Sequence, residues 1–394
     1  MKPTRHSVPV LHAAIVAMAI VAAVTSASAQ LGQLGSLAKK ADQALDQAKK
    51  AKETLDSLVF TDAEEQQLGQ QVSDKLRLRY GVVQDKAVHK YVTLVGTTLA
   101  QSSGRPGLPW KFIVLDTDGV NAYAAPGGFV HITRGALALL ENESELAGVL
   151  GHEISHVTGK HTINSIKKNN REKLLTELGN AATRSQIVGA FVDKAYDNLF
   201  QGVYDRGDEL DADEKGAALA NGSAYAPTGL GAFLKRLDDR NKDQAERNGL
   251  FASHPATTER IEKLTKQIAS QKLTATAKVG GRYKTSITYK PVAIVQIAQV
   301  VDGAAGVADG KANTKPADAK AADTKAADTK SGSKLGLGKL TALGSEKTST
   351  TTVASAGARG GLPDRDARGG SNPAIVVIAV TAAELAAFKT GIAG

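Results

Sequence analysis
The chain has 394 residues, no cysteine and a formal net charge of +9. A disulfide-stapled scaffold is therefore excluded, and stability has to come from packing, with or without a metal. Aromatic residues make up only 4% of the chain, and the scattered lysines have neither interleaved aromatics nor a recognised binding motif, which argues against a nucleic-acid partner.

Residues 1–29 read as a secretory signal peptide. Lys2 and Arg5 precede an apolar stretch from Ala13 to Val24, and small residues at Ala27 and Ala29 mark a cleavage site before Gln30. That stretch falls well short of the roughly 20 residues needed to span a bilayer. The mature chain is expected in the periplasm, with no transmembrane segment. Residues 30–59 repeat apolar positions at steps of three and four between Lys and Asp, the pattern of an amphipathic helix.

Residues 60–270 read as one folded, mostly helical unit. Thr61 followed by Glu64 forms a capping box at the head of a helix. "KAVHKYVTLVGTTLAQ" is a second helix, and "PWKFIVLDT" and "GGFVHIT" are short strands around a Pro and Gly turn. Helices resume at "ENESELAGVLGHEISHVTGKH". Beyond that unit, alternation in "TSITYKPVAIVQIAQVV" predicts a strand-rich extension over residues 271–302. Residues 303–372 are a low-complexity linker in which "AADTK" occurs twice in succession, too poor in apolar residues to offset ordering entropy. Residues 373–394 read as a strand and a helix opened by Thr381 and Glu384. The fold class expected is α+β: a mostly helical, zincin-like domain with a small sheet, plus the linker and the terminal strand and helix.

The chemistry concentrates at "GHEISHVTGKH", residues 151–161. Residues four apart share a helix face, so His152 and His156 can hold one cation while Glu153 reaches a water beside it. Chance alone would produce H-E-x-x-H in a chain of this composition with an expectation on the order of 0.01. The third ligand is less local. His161 falls one residue short of the metzincin position, which Thr162 occupies. On a continuing helix it would point about 140° away from the ligand face, as a surface residue or one supporting a ligand from behind. The better candidate is "YDRGDELDADEKGA", where Glu209 and Asp213 lie four apart on a second helix. One can bind metal while the other orients a ligand imidazole. Taken alone, such an acidic run reads as a solvated helix face.

The ordered set "NAYAAPGGFVHITRGAL", "HEISH", "ELDAD" and "FASHPATTERIEKL" resembles the zinc metallopeptidase family that includes the bacterial HtpX and BepA proteins and the CAAX prenyl proteases. Within that family it is most like the soluble, periplasmic BepA-like branch. The resemblance covers roughly residues 60 to 270. It implies one Zn2+ per chain held by His152, His156 and Glu209, with Glu153 as general base and Asp213 supporting His152. It implies that His254 lies near the metal, stabilising the transition state or capping the zinc of a resting enzyme. The family often has Glu where this chain has Asp211, a position not expected to bind zinc. Gly127, Gly128, Phe129, Val130 and His131 are expected on the edge strand beside the cleft, where free backbone groups pair with an extended substrate.

The expected function is a zinc endopeptidase acting on unfolded or misassembled envelope polypeptides, with outer-membrane assembly proteins as candidate partners. The alternative is a chaperone-like module that holds such proteins while its zinc is structural or latched by His254. A third reading, a surface adaptor working through the basic repeats and terminal segment, is tested by deleting residues 303–394.

Overall fold
Thr61 opens a helix with both halves of a capping box in place. Its side chain accepts from the Glu64 backbone while Glu64 reaches back to the Thr61 N–H, so two otherwise orphaned donors are satisfied at once. The computed structural model describes residues 39–179, 181, 183–200, 204–242, 254, 257–297 and 372–393. The predicted signal peptide and nearly all of the predicted linker lie outside those residues.

The chain divides into two compact units, Met1–Val59 with Arg171–Ile187, and Phe60–Asn170 with Val188–Gly394. In the first, helix α1 spans residues 39–57 and α7 spans Arg171–Gly179. Asp56 pairs with Arg171 at 2.7 Å.

The second unit holds α2 (Asp62–Tyr80), α3 (Lys86–Ala100), strands β1 (Lys111–Leu115), β2 (Ala122–Ala125) and β3 (Phe129–Thr133), then α4 (Arg134–Leu139), α5 (Glu143–Thr158) and α6 (His161–Asn169). Helix α8 (Arg184–Phe200) enters it from Val188, and α9 (Arg206–Gly222), α10 (Gly229–Asn241), α11 (Thr257–Ser270), α12 (Gly280–Ser286) and α13 (Ala382–Ala393) follow. This is the mostly helical α+β architecture with a small sheet. Helix α5 runs through its middle, packed by α3, α9, α10 and β2, and every residue from Glu143 to Val157 is buried. Leu146, Leu150 and Ile154 of α5 join Val92, Val95 and Leu99 of α3 in the main apolar core. Asn142 caps the helix by accepting from the Glu145 backbone.

Three expectations need correction. Strand β3 is the middle strand, paired parallel with β1 and antiparallel with β2. The backbone of Phe129, Val130 and His131 is therefore committed on both sides and cannot take up a substrate strand. Gly127 and Gly128 have φ of 72° and 98° and make the turn between β2 and β3, a conformation only glycine adopts without strain. An added Cβ on Gly127 would come within 2.5 Å of the Gln66 backbone on α2. The outer strand on this side is β2. The predicted strands over 271–302 are also absent among the described residues, where that segment instead holds α12, a 3-10 turn at Ile294–Gln296 and a single bridge from Ala277 to Tyr225. Ile287 is buried there but Val295 is exposed, and with no partner edge alternation alone cannot make a strand.

The terminal strand expected at the start of residues 373–394 does not form among the described residues, where 372–381 belong to no ladder and are held by single contacts. Val82 N–H donates to the Asn372 carbonyl at 2.6 Å, and Gln84 Nε2 donates to Ala374 O at 3.0 Å. Helix α13 then rests against α3, with Phe388 meeting Tyr91 edge-on.

Candidate metal centre
Helices α5 and α9 supply the chemistry, and they approach closely because glycines face each other. A Cβ on Gly216 would lie 2.8 Å from the His152 backbone N, and one on Gly151 would lie 2.9 Å from Gly216 O. Asp205 caps α9 by accepting from Asp208 N–H. Glu209 therefore sits in the first turn and Asp213 one turn further on.

His152, His156, Glu209 and His254 each offer a ligand atom, and these atoms lie within 4.8 Å of one another. His156 Nε2 is 3.0 Å from His152 Nε2 and 3.4 Å from Glu209 Oε1. His152 turns its other nitrogen, Nδ1, to Asp213 Oδ1 at 3.0 Å. His254 Nδ1 lies 2.7 Å from Glu209 Oε1 and 3.2 Å from His152 Nε2. All four residues are buried, and the set could hold a metal ion. Glu153 stands beside it, 1% exposed. Among the described residues neither of its carboxylate oxygens has a hydrogen-bond partner, and His254 Nε2 is 3.7 Å away.

The electrostatics follow from burial and neighbours. Burial raises the Glu153 carboxyl above its usual range, only partly opposed by His254 and His152. For Glu209 burial acts in the same direction, but His254, His156 and Arg260 outweigh it and hold the carboxyl well below the usual range. Burial likewise drives His156 well below an ordinary imidazole, which favours the neutral form a metal needs. His254 goes the other way. Burial opposes its charge, yet Glu209 and Glu153 hold its imidazole above the usual value.

Two contributors, Arg260 and Tyr204, escaped the sequence reading, and a third, His161, takes the supporting place that was one of its two expected positions. Arg260 of α11 is 3% exposed and grips Asp213 with two bonds of 2.8 and 2.7 Å, while its Nη1 lies 2.8 Å from Glu209 Oε2. Tyr204 stacks on the His156 ring at 4.1 Å, with its hydroxyl 2.8 Å from that of Thr162. His161 reaches His156 Nδ1 at 3.0 Å. Arg260 and Tyr204 lie within or directly beside the quoted motifs, but neither spacing nor composition signals a role for them. The predicted substrate residues Phe129, Val130 and His131 lie in the sheet core, where His131 Nε2 meets Ser73 Oγ at 2.9 Å.

A buried H-E-x-x-H helix, a carboxylate from a second helix and a small sheet beside them define the architecture of a metallopeptidase. The sequence agrees: residues 86–268 match Peptidase family M48 and form a domain of that family. The chain is 27% identical to the beta-barrel assembly-enhancing protease of Yersinia pestis over 48% of its own length and 40% of the relative's. With the protein of that name from Escherichia coli K12 it shares 26% identity over 50% and 42%. It is 29% identical to the metalloprotease YcaL of Escherichia coli K12 over 42% of this chain and 65% of YcaL. The chain thus spans about 40% of the length of the assembly-enhancing proteases it matches.

Proposed function
We propose that the protein is a periplasmic zinc endopeptidase that hydrolyses peptide bonds of unfolded or misassembled envelope proteins. One observation carries the reading: among the described residues, Glu153 keeps both carboxylate oxygens buried and unpartnered directly beside two buried imidazoles and a carboxylate. Leaving such a group unsatisfied costs about 1–3 kcal/mol or more, a cost that makes sense if a water and a substrate complete the site. The donor set of two nitrogens and one oxygen suits zinc. His152, His156 and Glu209 would hold the ion, which when bound supplies Lewis acidity, lowering the pKa of water and polarising a carbonyl oxygen.

The residues of the chain do the rest. Glu153, its carboxyl raised by burial, takes the proton of the attacking water and passes it to the leaving amine. His254, held above the usual imidazole range, donates to the carbonyl oxygen as it gains charge. Asp213 fixes the His152 ring through Nδ1, and Arg260 fixes Asp213. Recognition of an extended substrate through its backbone would select unfolded segments over particular sequences. The signal-like segment at residues 1–29 supports export, and among the described residues no helix is long and apolar enough to cross a membrane. The names of the assembly-enhancing relatives support outer-membrane assembly proteins as substrates or partners.

A second reading rests on His254, whose Nδ1 sits 2.7 Å from Glu209 and can latch the site shut, leaving a chaperone-like binding module. Zinc content and cleavage of an unfolded casein-like substrate, measured for wild type, Glu153→Gln and His254→Ala, separate the two. The peptidase reading expects stoichiometric zinc in wild type and Glu153→Gln, with turnover abolished in the latter. Loaded protein that cleaves nothing, even as His254→Ala, would leave only the binding module.

A further inference from the structure
His161 does not continue the face of α5. The helix ends at Thr158, Lys160 takes a left-handed conformation with φ of 54° and ψ of 30°, and the chain folds back so that the His161 ring lies over Gly159. A Cβ on Gly159 would come within 2.3 Å of His161 Nε2, so glycine is what leaves room for the ring. Lys160 tolerates its strained backbone while its Nζ pairs with the buried Glu65 at 2.5 Å.

That turn sets up a chain of contacts. His156 points Nε2 at His152 Nε2 and Glu209 and leaves Nδ1 facing His161 Nδ1 at 3.0 Å. His161 Nε2 in turn lies 3.2 Å from Asp211 Oδ2, with Asp208 Oδ1 at 3.9 Å and Lys215 pairing with the same Asp211 oxygen at 2.6 Å. A neutral imidazole has one donor and one acceptor nitrogen. If Nε2 of His156 is the ligand, its Nδ1 must carry the proton and donate to His161, which must accept there and keep its own proton on Nε2, toward Asp211.

The geometry points to His161, backed by Asp211, as the positioning residue of His156. The inference rests on the zinc reading above. The two ligand histidines are then oriented differently, His152 directly by a carboxylate and His156 through an intervening imidazole. Outer partners of this kind commonly change metal affinity by about 10–100-fold.

The test uses the full chain and Zn2+ alone. In zinc-loaded wild type, 15N spectra of labelled histidine should show His156 protonated at Nδ1 and His161 at Nε2. In competition with a chelator, His161→Leu should bind zinc 10–100-fold more weakly. His161→Asn, whose amide oxygen replaces the accepting nitrogen, should recover most of that loss. A proton on His161 Nδ1, wild-type affinity in His161→Leu, or equal loss in both variants overturns the assignment. If His161→Leu does not fold, the wild-type spectrum decides. A wild type that takes up no zinc at all would instead overturn the zinc reading itself.

Discussion
Arg260 is where the site and the stability of the fold meet, and its removal has a calculable cost. Its guanidinium is 3% exposed and lies against Asp213 and Glu209, each 1% exposed. Arg260→Met keeps the aliphatic bulk but strands buried Asp213 without its cation and leaves buried Glu209 with its histidine neighbours alone. Breaking a buried pair from one side costs about 3–5 kcal/mol, a large part of the 5–15 kcal/mol typical of a folded domain. Urea unfolding of chelator-treated protein should therefore place Arg260→Met about 4 kcal/mol below wild type. Adding Asp213→Asn should return part of the loss, because it removes the stranded charge rather than adding a contact. A loss under about 1 kcal/mol, or a double variant weaker than the sum of the singles, would refute the reasoning that the cation neutralises this pair of carboxylates.

Acid should act through two histidines remote from the metal centre. Burial lowers His131 from 6.5 to about 3, with Arg77 adding to the effect, and burial lowers His89 from 6.5 to about 4 against its bond to Val83. Each binds its proton more readily in the unfolded chain, so stability is complete above pH 6.5 and falls as pH drops toward the folded values, by about 1.4 kcal/mol per pH unit per histidine. His131→Asn should flatten the stability profile between pH 6.5 and 5 by about 2 kcal/mol; an unchanged slope would count against it. Zinc should raise the melting temperature by mass action and chelation should lower it, and a midpoint indifferent to both would mean that nothing binds. Gly127→Val, placed at φ of 72° and against α2, should destabilise by at least about 2 kcal/mol in urea titrations, the cost of a turn rather than of a lost substrate contact.

Local signals were legible and long-range ones were not. The capping boxes at Thr61 and Thr381 both form, because a cap depends only on residues three apart. His152, His156 and Glu153 share their helix neighbourhood for the same reason, and Glu209 and Asp213 keep the one-turn spacing that the sequence shows. Strand order is different: alternation tells which face a residue takes, never which strand lies beside it. That is why β3 was expected at an edge, and the short, fully buried "AYAA" of β2 shows no alternation to find. For His161 the sequence left two places open, at the surface or behind a ligand, since the left-handed turn at a lysine, tied to Glu65 on α2, has no local signature. Arg260 could not be assigned because its partners lie on another helix.

Anomalous diffraction at the zinc absorption edge, on crystals of the full chain grown with zinc, tests the central claim most directly. The account predicts one strong peak within about 2.0–2.2 Å of His152 Nε2, His156 Nε2 and a Glu209 oxygen, with His161 outside that sphere. A peak bound to His161, or none between α5 and α9, would contradict it.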